Sequence, residues 1–434
     1  MSERKERSDW SSLTEVPGGV GGRPPHETGS ELEDGGAASG PVKLYGPEFA
    51  RDPGAVYDRL RREYGELAPV ELAPGAEATL VIGYDAALEV MRDPGRFPRG
   101  GAEWHATLPP DSPVLPVLGD RPTTLSANGP VHARLRTAIT DSLARIDPFA
   151  LRGYVESSAD RLIDAVAGKG EADLVADYAK PLPILVSNEL FGCPAEIGDR
   201  ISRGTRGMLD ASAPGAMPAE EANAMFAKAT QDLVALKREK PGPDVTSWLI
   251  GHPAGLDDDE LAEQLGMLLA IGVEPQLNLI ANGLRLLLSD DRFGGDLAGG
   301  SLPVEDALDE ILWTDPPLAN FGTTYPRHEV NLRGHRLPAH RPVVISYAAA
   351  TTDPSRASAE RAGNRAHLAF AAGPHGCPAK GPARVIASLA IERLLDRLPD
   401  LELAVRGDEL RWRPGPFHRA LVALPVTFPV EEAR

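Results

Sequence analysis

Apolar residues recur at three- and four-residue spacing over 130–146, 149–168, 172–192 and 218–237, which predicts helices that each bury one face. A longer run follows. Leu256-Asp-Asp-Asp-Glu260 supplies an N-cap and acidic first-turn residues for a helix over 257–289. Leu265, Met267, Leu268, Leu269, Ile271, Leu277, Ile280, Leu284 and Leu286 make that helix apolar on most sides, so it is expected to run through the core. Residues 304–314 predict a short helix halted by Pro316-Pro317, and 380–398 a last one. Strand signals are brief: Leu80–Tyr84 ahead of a helix over 86–91, several near 328–346, then 401–405 and 420–428. An irregular stretch covers 351–366, and no internal repeat occurs. The expected fold class is mainly α with minor β, in a single large domain over 41–434.

Residues 1–40 stand apart. They are rich in Gly, Ser, Glu and Pro and offer little to a core, as a disordered tail does. Over 434 residues, 45 Lys+Arg against 63 Asp+Glu leave a charge of −18. That sign argues against a nucleic-acid binder, which needs a basic face. MSERKERSDW carries no apolar stretch, so no signal peptide is expected. Nowhere do roughly 18 uninterrupted apolar residues occur, so no membrane span is expected and the cytoplasm is the default location. GxxxxGK[ST], HExxH and GxSxG are absent, and GGVGG at 18–22 lacks the strand and final glycine of a dinucleotide loop. Cys193 and Cys377 are the only cysteines, which excludes a disulfide framework and a cysteine-cluster zinc site.

The sharpest segment runs from His367 through Phe370, Gly373, His375, Cys377, Ala379 and Ala383 to Arg384. A Gly/Pro-rich loop there delivers one cysteine to the start of a helix, where backbone N–H groups and the helix dipole favour a thiolate. A thiolate is a strong haem-iron ligand. The alternative is a buried structural cysteine.

This stretch resembles the haem-binding loop of the cytochrome P-450 family, F-G-x-G-x-H-x-C-x-G followed by x-x-L-A-R. Phe370, Gly373, His375, Cys377, Ala383 and Arg384 match; Ala371 and Ala379 stand for glycines and Pro382 for the leucine. The resemblance spans roughly 45–430. It implies a haem b with Cys377 as the proximal ligand, and it casts Cys193, after Gly192, as a small core residue. His132 and Arg136, four apart on one helix face, resemble the family's propionate-holding pair, and His367 a second propionate contact.

Three departures touch the chemistry. The central helix reads Ile271-Gly272-Val273-Glu274-Pro275-Gln276, where the family has an acid followed by an alcohol that together carry protons to the iron. Glu274 keeps the acid, either in that role or as an ordinary core-helix acid. Pro275 offers no donor and removes a backbone N–H, so a kink is expected there. Gln276 or a substrate hydroxyl would then replace the alcohol. Next, Glu310-Ile-Leu-Trp313 departs from the family's Glu-x-x-Arg and resembles a small actinobacterial subset, some of it tied to regulatory gene clusters. Trp has one N–H and no cation, so Glu310 is expected to want a partner, by position Arg361 or Arg365. Finally, Thr324 falls where the family places a propionate-binding arginine, with Arg327 as the candidate replacement.

Three readings of function follow from the resemblance. The first is a monooxygenase that inserts one oxygen atom from O2 into a small organic substrate. Its electrons would come from ferredoxin and ferredoxin reductase, docking near Lys380 and Arg384. The second is a peroxide-driven oxidation that needs no full proton relay. The third is a non-enzymatic haem sensor or partner of regulatory proteins. Substrate contacts are expected from 95–125 and 195–225, both poor in chemical direction.

Overall fold

The computed structural model describes residues 40–209, 217–290, 304–356 and 363–430. The tail over 1–40 lies outside them apart from Gly40, as does Arg361. Asp52 caps the first long helix, α1 (Pro53–Tyr64), by accepting from the Ala55 N–H. Three strands, β1 (Val42–Lys43), β2 (Leu67–Glu71) and β3 (Glu77–Val81), begin a five-stranded sheet. Helices α2 (Tyr84–Arg92), α3 (Gly129–Leu143), α4 (Pro148–Asp164) and α5 (Pro181–Phe191) follow, then α6 (Ala195–Leu209) and α7 (Ala219–Glu239). The expected helix over 172–192 is divided: a strand at Glu171–Asp173, a π-turn at Val175–Ala179, then α5.

The central helix α8 (Asp258–Ser289) starts on a reciprocal capping box. The Asp257 side chain accepts from the Glu260 N–H at 2.8 Å, and Glu260 accepts from the Asp257 N–H at 3.3 Å. Its helical course continues through Pro275. Helix α9 (Val304–Thr314), strands β4 (Asn320–Thr324) and β5 (Val343–Ser346), and helix α10 (Lys380–Arg397) complete the frame. The sheet order is β1-β2-β3-β5-β4, with β3 and β5 parallel and β4 antiparallel to β5.

Apolar faces of α4, α5, α8, α9 and α10 share one large core that includes Val155, Leu182, Ile280, Leu284, Leu308 and Ile391. A second core beneath the sheet holds Leu60, Val70, Leu80 and Val344. Because α8 belongs to the first core along its C-terminal half and to a third, with α3 and α7, along its N-terminal half, its middle turn is held in place between them. Among the described residues no helix is long and apolar enough to cross a membrane.

Candidate active site

The loop before α10 turns at Ala371 and Gly373, with φ of +56° and +68°. At Gly373 a Cβ would collide with the Met91 carbonyl oxygen at the end of α2, so the chain can pass there only as glycine. Ala371 takes the left-handed conformation with a Cβ in place, a strained choice for an L-residue. The Cys377 N–H donates to the Phe370 carbonyl at 2.8 Å, and Ala379 is the N-cap of α10. Burial pushes the Cys377 thiol up. The Ala379 N–H and the charges of Arg136 and Lys380 favour the anion and pull it back.

Cys377 faces a cavity of about 270 Å³ whose other wall is the middle of α8: Ile271, Gly272, Pro275 and Gln276. Ile271 is 37% exposed within a largely buried helix, and a Cβ on Gly272 would meet nothing within 4 Å. An adjoining cavity of about 210 Å³ shares Ile271, Pro275, Phe321, Tyr347 and His375 and reaches Val117, Leu118, Met208 and Phe226. The segments expected to contact substrate, 95–125 and 195–225, both contribute to it.

Proton donors and cations gather at one edge. His132 is 7% exposed and its Nε2 finds no partner; its ring lies 4.1 Å, centroid to centroid, from that of His375. Arg136 donates to the Gly376 carbonyl. Burial holds His132 below the ordinary histidine range, helped by Arg136 and Arg99, and pushes His375 down to about 3. Neither Arg136 nor Arg99 forms an ion pair with a carboxylate among the described residues. A thiol on one wall, an apolar helix face on the other and an un-neutralised donor edge fit a haem with its two propionates.

His367 packs edge-on to Trp313 at 6.3 Å and near Phe370. Burial pushes it down to about 4, with Asp309, Arg384 and Arg365 as its charged neighbours. Its buried Nδ1 has no partner, and it is His375 that sits beside His132. Phe370 and Ala379 line the Cys377 cavity.

On α8, the Glu274 carboxylate accepts from Arg413 at 2.6 Å and faces the second cavity together with His418. His418 is pushed down to about 4 by burial, and its Nδ1 has no partner. Gln276 lines the Cys377 cavity, and one of its two amide N–H groups donates to the Ala383 carbonyl at 3.0 Å, tying α8 to α10.

At the α9 motif the tryptophan makes a bond of its own. Trp313 is 3% exposed, and its indole N–H donates to the Asn364 carbonyl at 2.7 Å. Glu310 is half-buried and is not without a partner. A further ion network of α9 runs through Arg384, which binds Asp309 and, at 2.6 Å, Glu305, with Arg365 at 3.9 Å from Glu305. Arg384 is therefore buried and committed, not part of a docking face; Lys380 is exposed. Thr324 is buried and donates weakly to the Val343 carbonyl at 3.4 Å, and Arg327 is exposed. Cys193 packs in the core between α3, α6 and α7, and burial pushes its thiol up to about 11. Arg99 and His418 escaped the sequence reading; neither lies in a motif or on a periodic face, and only their long-range contacts mark them.

Comparison with protein-family models gave no match. Individual relatives are close. The chain is 34% identical over 413 residues to the cytochrome P450 monooxygenase PikC of Streptomyces venezuelae, covering 91% of this chain and 96% of that one. It is 32% identical to the mycinamicin IV hydroxylase/epoxidase of Micromonospora griseorubida, covering 85% and 96%. Among solved structures, CYP154C4 from a Streptomyces species superposes with a TM-score of 0.81 at 27% identity, over 90% of this chain and 99% of that one. P450BioI in complex with an acyl carrier protein gives 0.75 at 26%, over 88% and 100%. With the thiol-bearing loop, the central helix and near end-to-end identity in agreement, the chain belongs to the bacterial cytochrome P450s and is a haem monooxygenase.

Proposed function

We propose that the enzyme hydroxylates or epoxidises a mostly apolar, polyketide-like natural product, and that the Cys377 thiolate would hold its haem iron. The observation that carries this reading is Cys377, two residues before the N-cap of α10, lining one cavity with Ile271 and Gly272 of α8. The haem, when bound, supplies the activation of O2. His132, Arg136 and His375 would hold propionate oxygens, and Phe370 and Ala379 would pack on the thiolate side. The substrate would lie in the adjoining cavity, whose Val117, Leu118, Met208, Phe226 and Met267 are apolar; PikC and the mycinamicin enzyme are the relatives that suggest the polyketide class.

Three acids line that cavity, Asp120, Glu263 and Glu274, and Glu274 is the one on the central turn of α8. Pro275 has no donor, and one of the two Gln276 N–H groups is held by Ala383. Glu274, fixed by Arg413 and beside His418, is left to pass a proton through water or a substrate hydroxyl. Ferredoxin and its reductase would supply electrons, with Lys380 on the accessible thiolate side as a contact for an acidic partner. A cytoplasmic setting suits those partners. The test is a reduced, carbon-monoxide difference spectrum with haem assayed alongside. The parent chain should show the thiolate-type band and Cys377→Ser should lose it. An unchanged band in the variant would sink the ligand assignment.

A second reading has a specific observation in its favour. The thinned donor set at Pro275 and Gln276 suits hydrogen peroxide as oxidant, because peroxide already carries the two electrons and two protons that the O2 route must import. Turnover with peroxide that clearly outpaces turnover with reduced ferredoxin would select it.

A further inference from the structure

Thr324 leaves the haem edge one cation short of its family pattern, and the exposed Arg327 does not reach inward. The side chain that does reach the spot belongs to the loop after α2. Its backbone is pinned on both sides by Asn128, which accepts from the Arg99 N–H and donates to the Arg99 carbonyl, each at 2.8 Å. Arg99 Nη1 then donates to the Thr323 carbonyl at 2.6 Å, so the guanidinium sits against the residue next to Thr324. Its Nη2 lies 3.7 Å from where a Cβ on Gly322 would be, and its charge bears on His132 and His375. The Thr323 hydroxyl, on a residue 7% exposed, has no partner.

These facts share one physical problem. Burial disfavours the Arg99 cation, and among the described residues only Tyr347 and Tyr325 favour it, with no carboxylate to pair with. A desolvated guanidinium without a counter-ion is costly, and a fork of unused N–H groups is the geometry that binds a carboxylate. We propose that Arg99, with the Thr323 hydroxyl beside it, clamps the haem propionate that the arginine missing at Thr324 would otherwise hold. The cation has moved from the sheet to the loop after α2, and the electrostatic function is retained. This assignment rests on the haem reading above and adds to it a residue outside the motifs that carry that reading.

The experiment follows haem transfer from the holoenzyme to an excess of a haem-scavenging globin, beside thermal unfolding of the haem-free full chain. Arg99→Gln should speed haem loss by about tenfold or more, while the haem-free chain unfolds at the parent temperature or higher. Arg99→Lys should fall between parent and Arg99→Gln. Arg99→Gln combined with Thr324→Arg should recover slow loss, since the cation returns from the neighbouring strand. Loading with haem dimethyl ester, whose propionates carry no charge, should shrink the gap between parent and Arg99→Gln. Haem loss within about twofold of the parent, equal destabilisation of the haem-free chain, or an undiminished gap with the ester would each overturn the assignment. A parent chain that binds haem without the thiolate-type band would overturn the Cys377 reading instead, and the transfer rates would still decide Arg99.

Discussion

Ala371 adopts φ of +56° where the related loops carry glycine. The left-handed backbone costs an alanine roughly 1–2 kcal/mol, and a glycine gives back part of that through its unfolded-state entropy. Ala371→Gly is therefore expected to stabilise the chain by about 0.5–1 kcal/mol, read from urea unfolding. Trp313 is a different kind of departure, because the surroundings have been rebuilt around it. Its buried indole donates to Asn364 and packs against His367, and Asp309 and Glu305 of the same helix are paired with Arg384. Restoring the family arginine by Trp313→Arg is accordingly expected to lower stability by about 3 kcal/mol, the scale of losing a buried aromatic. A rise in melting temperature would show that α9 still has room for a second cation. At this scale the sequence was legible where a residue's role is local: Cys377, the capping Asp257, the small core Cys193. It was not legible for Arg99 or Arg384, whose roles depend on Thr323 and Asp309, far away along the chain.

Helix α8 is where the chemistry depends on an element. Pro275 keeps it helical but leaves the Ile271 carbonyl, four residues back, without its N–H partner, on the turn that faces both cavities. Pro275→Thr should return a hydroxyl to that turn and raise the fraction of electrons that end in product, measured as less hydrogen peroxide released per product formed. No change would mean that Glu274 with Arg413 and His418 already suffices. The long helices could be read because their apolar stripe and caps are both strong, as in α8. Helix α1 was missed: its stripe of Val56, Tyr57 and Leu60 is embedded in Asp58, Arg59, Arg61 and Arg62, and charge hid the period. Strand β2 was missed too, because Pro69 within it argues against a strand; Pro69 points outward at an exposed position opposite Thr79.

For the whole molecule, two buried histidines away from the His132–His375 pair set an acid limit. His367, facing Asp309, Arg384 and Arg365, and His418, facing Glu274 and Arg413, are both pushed down to about 4 from an ordinary 6.5. The folded chain thus binds fewer protons than the unfolded one between those values. Stability is full above about pH 6.5 and falls as the pH drops toward 4, by about 3 kcal/mol for each histidine. Urea midpoints at pH 7 and pH 5 should differ accordingly, and His367→Gln should reduce the difference while leaving the share of His418. The exposed Ile271 face of α8 has a consequence in the living cell. Newly made copies that outnumber the porphyrin supply carry an oily slot through their middle, which holdases and proteases recognise. Steady-state amounts of this enzyme should then follow iron and porphyrin synthesis as closely as they follow transcription.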